Sequence, residues 1–120
     1  MGYFFDTYAI IEIIKNNQNY EKFKESAIKT CALNIAELHF FLIEFAGEEE
    51  ADKLVKELNI SLLEQTKENA IEASKFRYKN KKLKMSYADC LGYITAKSND
   101  LIFVTGDDAF KNLESVEFIK

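Results

Sequence analysis

At 120 residues the chain is long enough to bury one sizeable core and short for two, so a single domain spanning 1–120 is expected. Hydrophobic residues make up 48% and charged residues 30%, which excludes a disordered or fibrous protein. A net charge of −4 argues against a protein that coats nucleic acid by bulk electrostatics, though divalent cations in an acidic pocket would still let it hold a polyanion.

The opening apolar run Tyr3 to Phe5 predicts a strand ending at Asp6. Ile10, Ile11, Ile13 and Ile14 predict a buried helix over Ala9 to Ile14. A polar loop from Asn16 to Asn19 leads into a shorter helix over Tyr20 to Ala27, with Phe23 and Ala27 inward, and a strand follows near Lys29 to Leu33. Asn34 reads as the N-cap of a helix whose Leu38, Phe41, Leu42 and Phe45 share one face, ended by Gly47. Ala51, Leu54, Val55 and Leu58 mark an amphipathic helix over Glu48 to Leu58, and Ile60 to Leu63 is a short strand. Helix resumes from Lys67 to Lys79. Ser86 caps another carrying Cys90, Tyr93 and Ile94, and Asn99-Asp100 turns the chain into the strand Leu101 to Val104. A helical turn around Phe110 and a strand from Val116 to Phe118 complete the alternation. It predicts a three-layer α/β/α sandwich with a mostly parallel central sheet.

In such folds ligands bind beyond the carboxyl ends of the strands. Asp6 and Asp107 follow strands there, while Glu37 and Asp89 fall in the predicted first turns of helices. Each acid has an ordinary structural reading. Asp6 and Asp107 suit N-caps, and Asn34-x-x-Glu37 and Ser86-x-x-Asp89 resemble capping boxes. Gathered at one edge, however, they would repel, by ~4 kcal/mol for a pair at about 4 Å and an effective dielectric near 20. Protonation or a bound cation relieves that cost, and carboxylates suit Mg²⁺ or Mn²⁺ rather than zinc. Such a site fits phosphodiester hydrolysis. No Ser-His-Asp set competes, because His39 is the one histidine, and four glycines make no phosphate loop.

Phe4-Phe5-Asp6-Thr7, Asn34-Ile35-Ala36-Glu37-Leu38, Ser86-Tyr87-Ala88-Asp89-Cys90-Leu91 and Val104-Thr105-Gly106-Asp107-Asp108-Ala109-Phe110 together resemble the PIN-domain family of ribonucleases over essentially the whole chain. The family includes toxins of toxin-antitoxin pairs and RNA-processing subunits. The resemblance implies that Asp6, Glu37, Asp89 and Asp107 form a catalytic Mg²⁺ or Mn²⁺ site of an endoribonuclease, with Thr105 and Asp108 as helpers. It also implies an RNA substrate, an antitoxin partner, a homodimer and a cytoplasmic location. Tyr8 departs from the small polar residue that many members carry after the Asp-Thr pair.

Lys75, Arg77, Lys79, Lys81, Lys82 and Lys84 form the dense basic stretch. They could steer RNA phosphates or simply be a solvated helix end. Phe40 and Ile43 exceed what one helix face needs and could serve a dimer or antitoxin contact. Cys31 and Cys90 read as reduced, buried thiols. The first residues carry no cationic leader, and Asp6 breaks a myristoylation motif, so neither a signal peptide nor membrane attachment is expected. The alternative functions are a non-catalytic PIN-like scaffold binding RNA or protein, and a phosphoacceptor receiver domain. A receiver would show an acidic pair after its first strand and a lysine after its last long one, and both are missing.

Overall fold

The computed structural model describes residues 2–120. Strand β1 (Tyr3–Phe5) leads through Asp6 into helix α1 (Thr7–Ile14), and a 3₁₀ helix (Gln18–Phe23) connects to β2 (Ile28–Thr30). Helices α2 (Ala32–Ala46) and α3 (Glu48–Glu57) are separated by Gly47, whose φ of 89° is the left-handed conformation a glycine adopts without strain. Then come β3 (Ile60–Leu62), α4 (Lys67–Lys79), α5 (Tyr87–Ser98), β4 (Ile102–Thr105), a 3₁₀ turn (Asp108–Phe110) and β5 (Val116–Phe118).

All observed strand pairs are parallel. β1 pairs with β4, with Phe4 opposite Phe103, and β4 pairs with β5; β2 pairs with β3. The two sheets are bridged where Thr30 Oγ1 donates to the Phe5 carbonyl at 2.7 Å. Side chains alternate across a strand, and this divides the core in two. Phe4 and Phe103 stack with centroids 5.6 Å apart and pack with Tyr93, Cys90 and Phe110 on the side of α4 and α5. Phe5 and Val104 pack with Ile10, Tyr20, Phe23, Leu38 and Leu42 on the side of α1, α2 and α3. Helices on both faces of a parallel sheet are the expected three-layer α/β arrangement. Among the described residues no helix is long and apolar enough to cross a membrane.

Several local expectations are corrected. The helix expected over Tyr20 to Ala27 is one 3₁₀ segment ending at Phe23, and Ala27 is exposed. Asn34 is not an N-cap. α2 begins three residues earlier, after Cys31, and buried Asn34 instead donates through Nδ2 to Thr7 Oγ1 at 3.2 Å. Glu37 therefore lies in the second turn, not the first. Leu38 and Leu42 face the core as expected, but Phe41 and Phe45 do not. Phe41 is about 100° around the helix from Leu42, Phe45 lies in the last turn, and the two rings stack on each other at the surface 6.1 Å apart. Phe45 is 74% exposed and Phe40 64%.

Candidate active site

β1 and β4 are adjacent and parallel, so the residues leaving their carboxyl ends emerge side by side. Asp6 follows β1, and Thr105, Gly106 and Asp107 end or follow β4. The early turns of α2 and α5 reach the same edge. The result is a cleft of about 390 Å³ lined by Asp6, Glu37, Asp89, Asp107 and Asp108, with Thr7, Tyr8, Asn34 and Lys120 among the remaining walls. All four sequence-predicted acids line it.

Each acid is held by a specific local bond. Asp6 caps α1, its Oδ1 accepting from Ala9 N–H at 2.8 Å, and its Oδ2 accepts from Thr105 Oγ1 at 2.5 Å. Thr105 is fully buried, and its Oγ1 also accepts from Asp107 N–H at 3.0 Å, so one hydroxyl fixes two of the acids relative to each other. Asp107 Oδ1 accepts from Ala109 N–H at 3.0 Å and caps the 3₁₀ turn. Asp89 completes a reciprocal capping box with Ser86, its Oδ2 accepting from Ser86 N–H at 3.0 Å and its own N–H donating to Ser86 Oγ at 3.1 Å. Glu37 Oε1 accepts from Thr7 Oγ1 at 2.7 Å.

The structural explanations for Asp6, Asp89 and Asp107 as caps thus hold together with their place in the cleft. Glu37, Asp89 and Asp107 each keep one carboxylate oxygen outside these bonds. Asp108 is peripheral: it is mostly exposed and pairs with Lys120 Nζ at 3.3 Å.

Asp6 is 7% exposed. Burial pushes its carboxyl up to about 7. The Thr105 hydroxyl and the Ala9 N–H hold it down in part, and the charges of Asp89 and Asp107 push it further up. That a buried acid feels two neighbouring acids makes this an electrostatically unfavourable cluster when all are ionised.

A hard divalent cation fits the donor set, which is carboxylate-only with oxygens left over. Among the described residues no three acids, cysteines or histidine stand close enough to hold an ion in their present rotamers.

The six basic residues lie elsewhere. None of them lines the acidic cleft. Arg77 donates through Nε to the Met85 carbonyl at 2.9 Å and stacks 4.2 Å over the Tyr87 ring, while Lys81 lies 4.2 Å over Tyr78 and Lys75 pairs with Glu72 at 3.5 Å. Arg77, Lys81 and Lys84 share a small second cavity with Asn80 and Met85. His39 binds Asp52 at 2.7 Å and is not in the cleft.

Sequence reasoning did not single out Asn34 or Lys120 as cleft residues. Asn34 is a polar residue in an apolar helix, a local signal that fits a cap equally well, and Lys120 has no local signal. Gly106 also matters locally: a Cβ there would fall 2.1 Å from Tyr8 Cε1 and 2.6 Å from the Ile119 carbonyl.

Comparison with known proteins agrees with this architecture. The PIN domain family model matches residues 3–116. A toxin-antitoxin complex from Klebsiella pneumoniae superposes with a TM-score of 0.76 at 14% identity, covering 97% of this chain and 96% of that one. VapBC2 from Rickettsia felis, solved bound to a promoter DNA fragment, superposes at 0.73 and 16% identity, covering 99% and 98%. A comparison with curated proteins gave no match. With the family model spanning nearly the whole chain, this protein belongs to the PIN domain family, whose members are generally nucleases.

Proposed function

We propose that the protein is a Mg²⁺- or Mn²⁺-dependent endoribonuclease that hydrolyses RNA phosphodiester bonds at the cleft formed by Asp6, Glu37, Asp89 and Asp107. The observation that carries this reading is the convergence of four carboxylates on one cleft at the carboxyl ends of β1 and β4. A bound divalent ion would supply a water of lowered pKa and stabilise charge on the departing oxygen. The chain's own residues do the rest. Thr105 and Ala9 fix Asp6, Thr7 fixes Glu37, and the Ser86 box fixes Asp89, so the acids are oriented before substrate arrives.

The likeness to structures titled as toxin-antitoxin complexes supports a role as a toxin held by an antitoxin. A cytoplasmic homodimer accompanies that reading. The basic stretch from Lys75 to Lys84, including Arg77, Lys79, Lys81 and Lys82, would then attract RNA from outside the cleft.

The test is incubation of structured and unstructured RNA with the protein in Mg²⁺, in Mn²⁺ and in EDTA, beside an Asp6→Asn, Asp89→Asn double variant. Cleavage that requires metal and is absent from the variant is the expected result. Folded, metal-saturated protein that cleaves no RNA would sink the proposal and favour a binding scaffold.

A further inference from the structure

Among the described residues that line the cleft, Lys120 is the one with a basic side chain, and the fold anchors its backbone at several points. The Ile119 N–H donates to the Thr105 carbonyl at 2.8 Å, extending the β4–β5 ladder to the sheet edge where Asp6 and Asp107 stand. Tyr20 Oη donates to the Ile119 carbonyl at 2.5 Å. Asn17 Nδ2 and Asn19 Nδ2 both donate to the main-chain oxygen of Lys120, at 3.3 and 3.1 Å. Glycine at position 106 lets this segment and the Tyr8 ring approach β4 closely.

The ammonium group itself is loosely held. Its partners are Asp108 Oδ2 at 3.3 Å and the faces of Tyr8 and Phe118, at 5.9 and 5.7 Å. Side-chain exposures of 56% for Lys120 and 76% for Asp108 make this an ion pair of the kind that contributes at most about 1 kcal/mol. An anchored backbone carrying an easily released cation, at the rim of a cleft otherwise lined by acids, is suited to taking an incoming anion.

We propose that Lys120 is a phosphate-binding residue of the cleft, exchanging Asp108 for a backbone phosphate that flanks the one cleaved. The inference rests on the nuclease reading above. It gives the acidic cleft a fixed positive point that sets substrate register, while cations on the carboxylates offset the remaining repulsion.

The test is fluorescence anisotropy of a labelled single-stranded RNA oligonucleotide over a range of salt concentrations. Ca²⁺ replaces Mg²⁺, because its looser coordination neutralises carboxylates without the octahedral geometry suited to Mg²⁺ sites. Lys120→Met should weaken binding about tenfold, as expected for losing one charge-assisted contact, and reduce the log–log salt slope by about 0.7. Lys120→Arg should restore both. In Mg²⁺ cleavage assays Lys120→Met should raise KM more than it lowers kcat.

Lys53→Met, on the exposed face of α3, controls for bulk charge and should match wild type. Thermal unfolding of each variant verifies folding. Wild-type binding with an unchanged affinity and slope in Lys120→Met would overturn the inference and leave the nuclease reading standing. No RNA binding by wild type would overturn both.

Discussion

Asp6→Asn is the most informative single substitution, because it removes a charge that the fold disfavours. In the metal-free protein the Asp6 carboxyl sits at about 7, against an ordinary 3.8, chiefly because it is buried. Between those values the folded state binds a proton that the unfolded state has released. Stability contributed by this residue therefore falls as pH rises through the window, and is flat above 7.

From pH 5 to the folded value of about 7 is two units, so wild type should lose about 3 kcal/mol that the variant does not. Asparagine still caps α1 through Ala9. Its amide could donate to Thr105 Oγ1, leaving the Thr105 hydroxyl proton without its present acceptor at a cost of about 1 kcal/mol. That cost applies at both pH values and cancels in the comparison.

The assay is urea denaturation of both proteins in EDTA near pH 5 and near pH 8, taking the difference between variant and wild type at each pH. The variant should gain on wild type by about 3 kcal/mol between the two conditions, roughly 10 °C in Tm for a chain of this size. Adding Mg²⁺ at the higher pH should stabilise wild type and leave the variant little changed. A difference that stays flat with pH, within about 0.5 kcal/mol, would refute the claim that Asp6 is held as a desolvated acid.

Two further substitutions test the surrounding geometry. Thr105→Val removes the hydroxyl that donates to Asp6 and accepts from Asp107 N–H, and should cost about 1–3 kcal/mol by denaturation while weakening Mg²⁺ binding measured by calorimetry; unchanged metal affinity would show that the hydroxyl does not organise the acids. On α2, Leu42→Ala should cost about 2–5 kcal/mol whereas Phe45→Ser should stay within about 0.5 kcal/mol, because Leu42 is buried and Phe45 projects to solvent. A large loss for Phe45→Ser at low protein concentration would contradict that placement.

That last pair marks the limit of what the sequence discloses. Ser86 and the run to Val104 were legible because their signals are local: a capping residue before an apolar helix, and an apolar strand closed by a glycine and acids. The segment His39-Phe40-Phe41-Leu42-Ile43-Glu44-Phe45 is apolar on most sides, so periodicity alone allows several faces to be the buried one. The choice is made at long range, by Asn34 bonding Thr7 and by Leu38 and Leu42 meeting α1 and α3. The same contact moves Glu37 from a supposed cap to a partner of Thr7, thirty positions away. The acids themselves could be located from their position after strands and near helix starts. Lys120 could not, since its place depends on β5 pairing with β4 and on Asn17 and Asn19 closing on its main-chain oxygen.

The coincidence of capping and cleft lining has a consequence for how the site should be probed. At Asp6, Asp89 and Asp107 one oxygen serves a backbone N–H, so replacement by alanine removes a cap worth about 0.5–2 kcal/mol together with the charge. Loss of activity in such a variant would confound unfolding with chemistry. Asparagine keeps the acceptor oxygen for the backbone N–H and deletes the charge, at Asp6 with the further loss of the acceptor for the Thr105 hydroxyl, so it separates the electrostatics of the cluster from the caps. Glu37 differs, since it caps nothing and its one bond comes from a side-chain hydroxyl. Glutamine there retains the Thr7 contact, and alanine costs little helix stability because Ala is the better helix former. Glu37→Ala and Glu37→Gln should therefore fold equally well, with stabilities by urea denaturation within about 0.5 kcal/mol, and any activity that separates them reports the side-chain oxygen at this position, on Thr7 or in the cleft, rather than the fold.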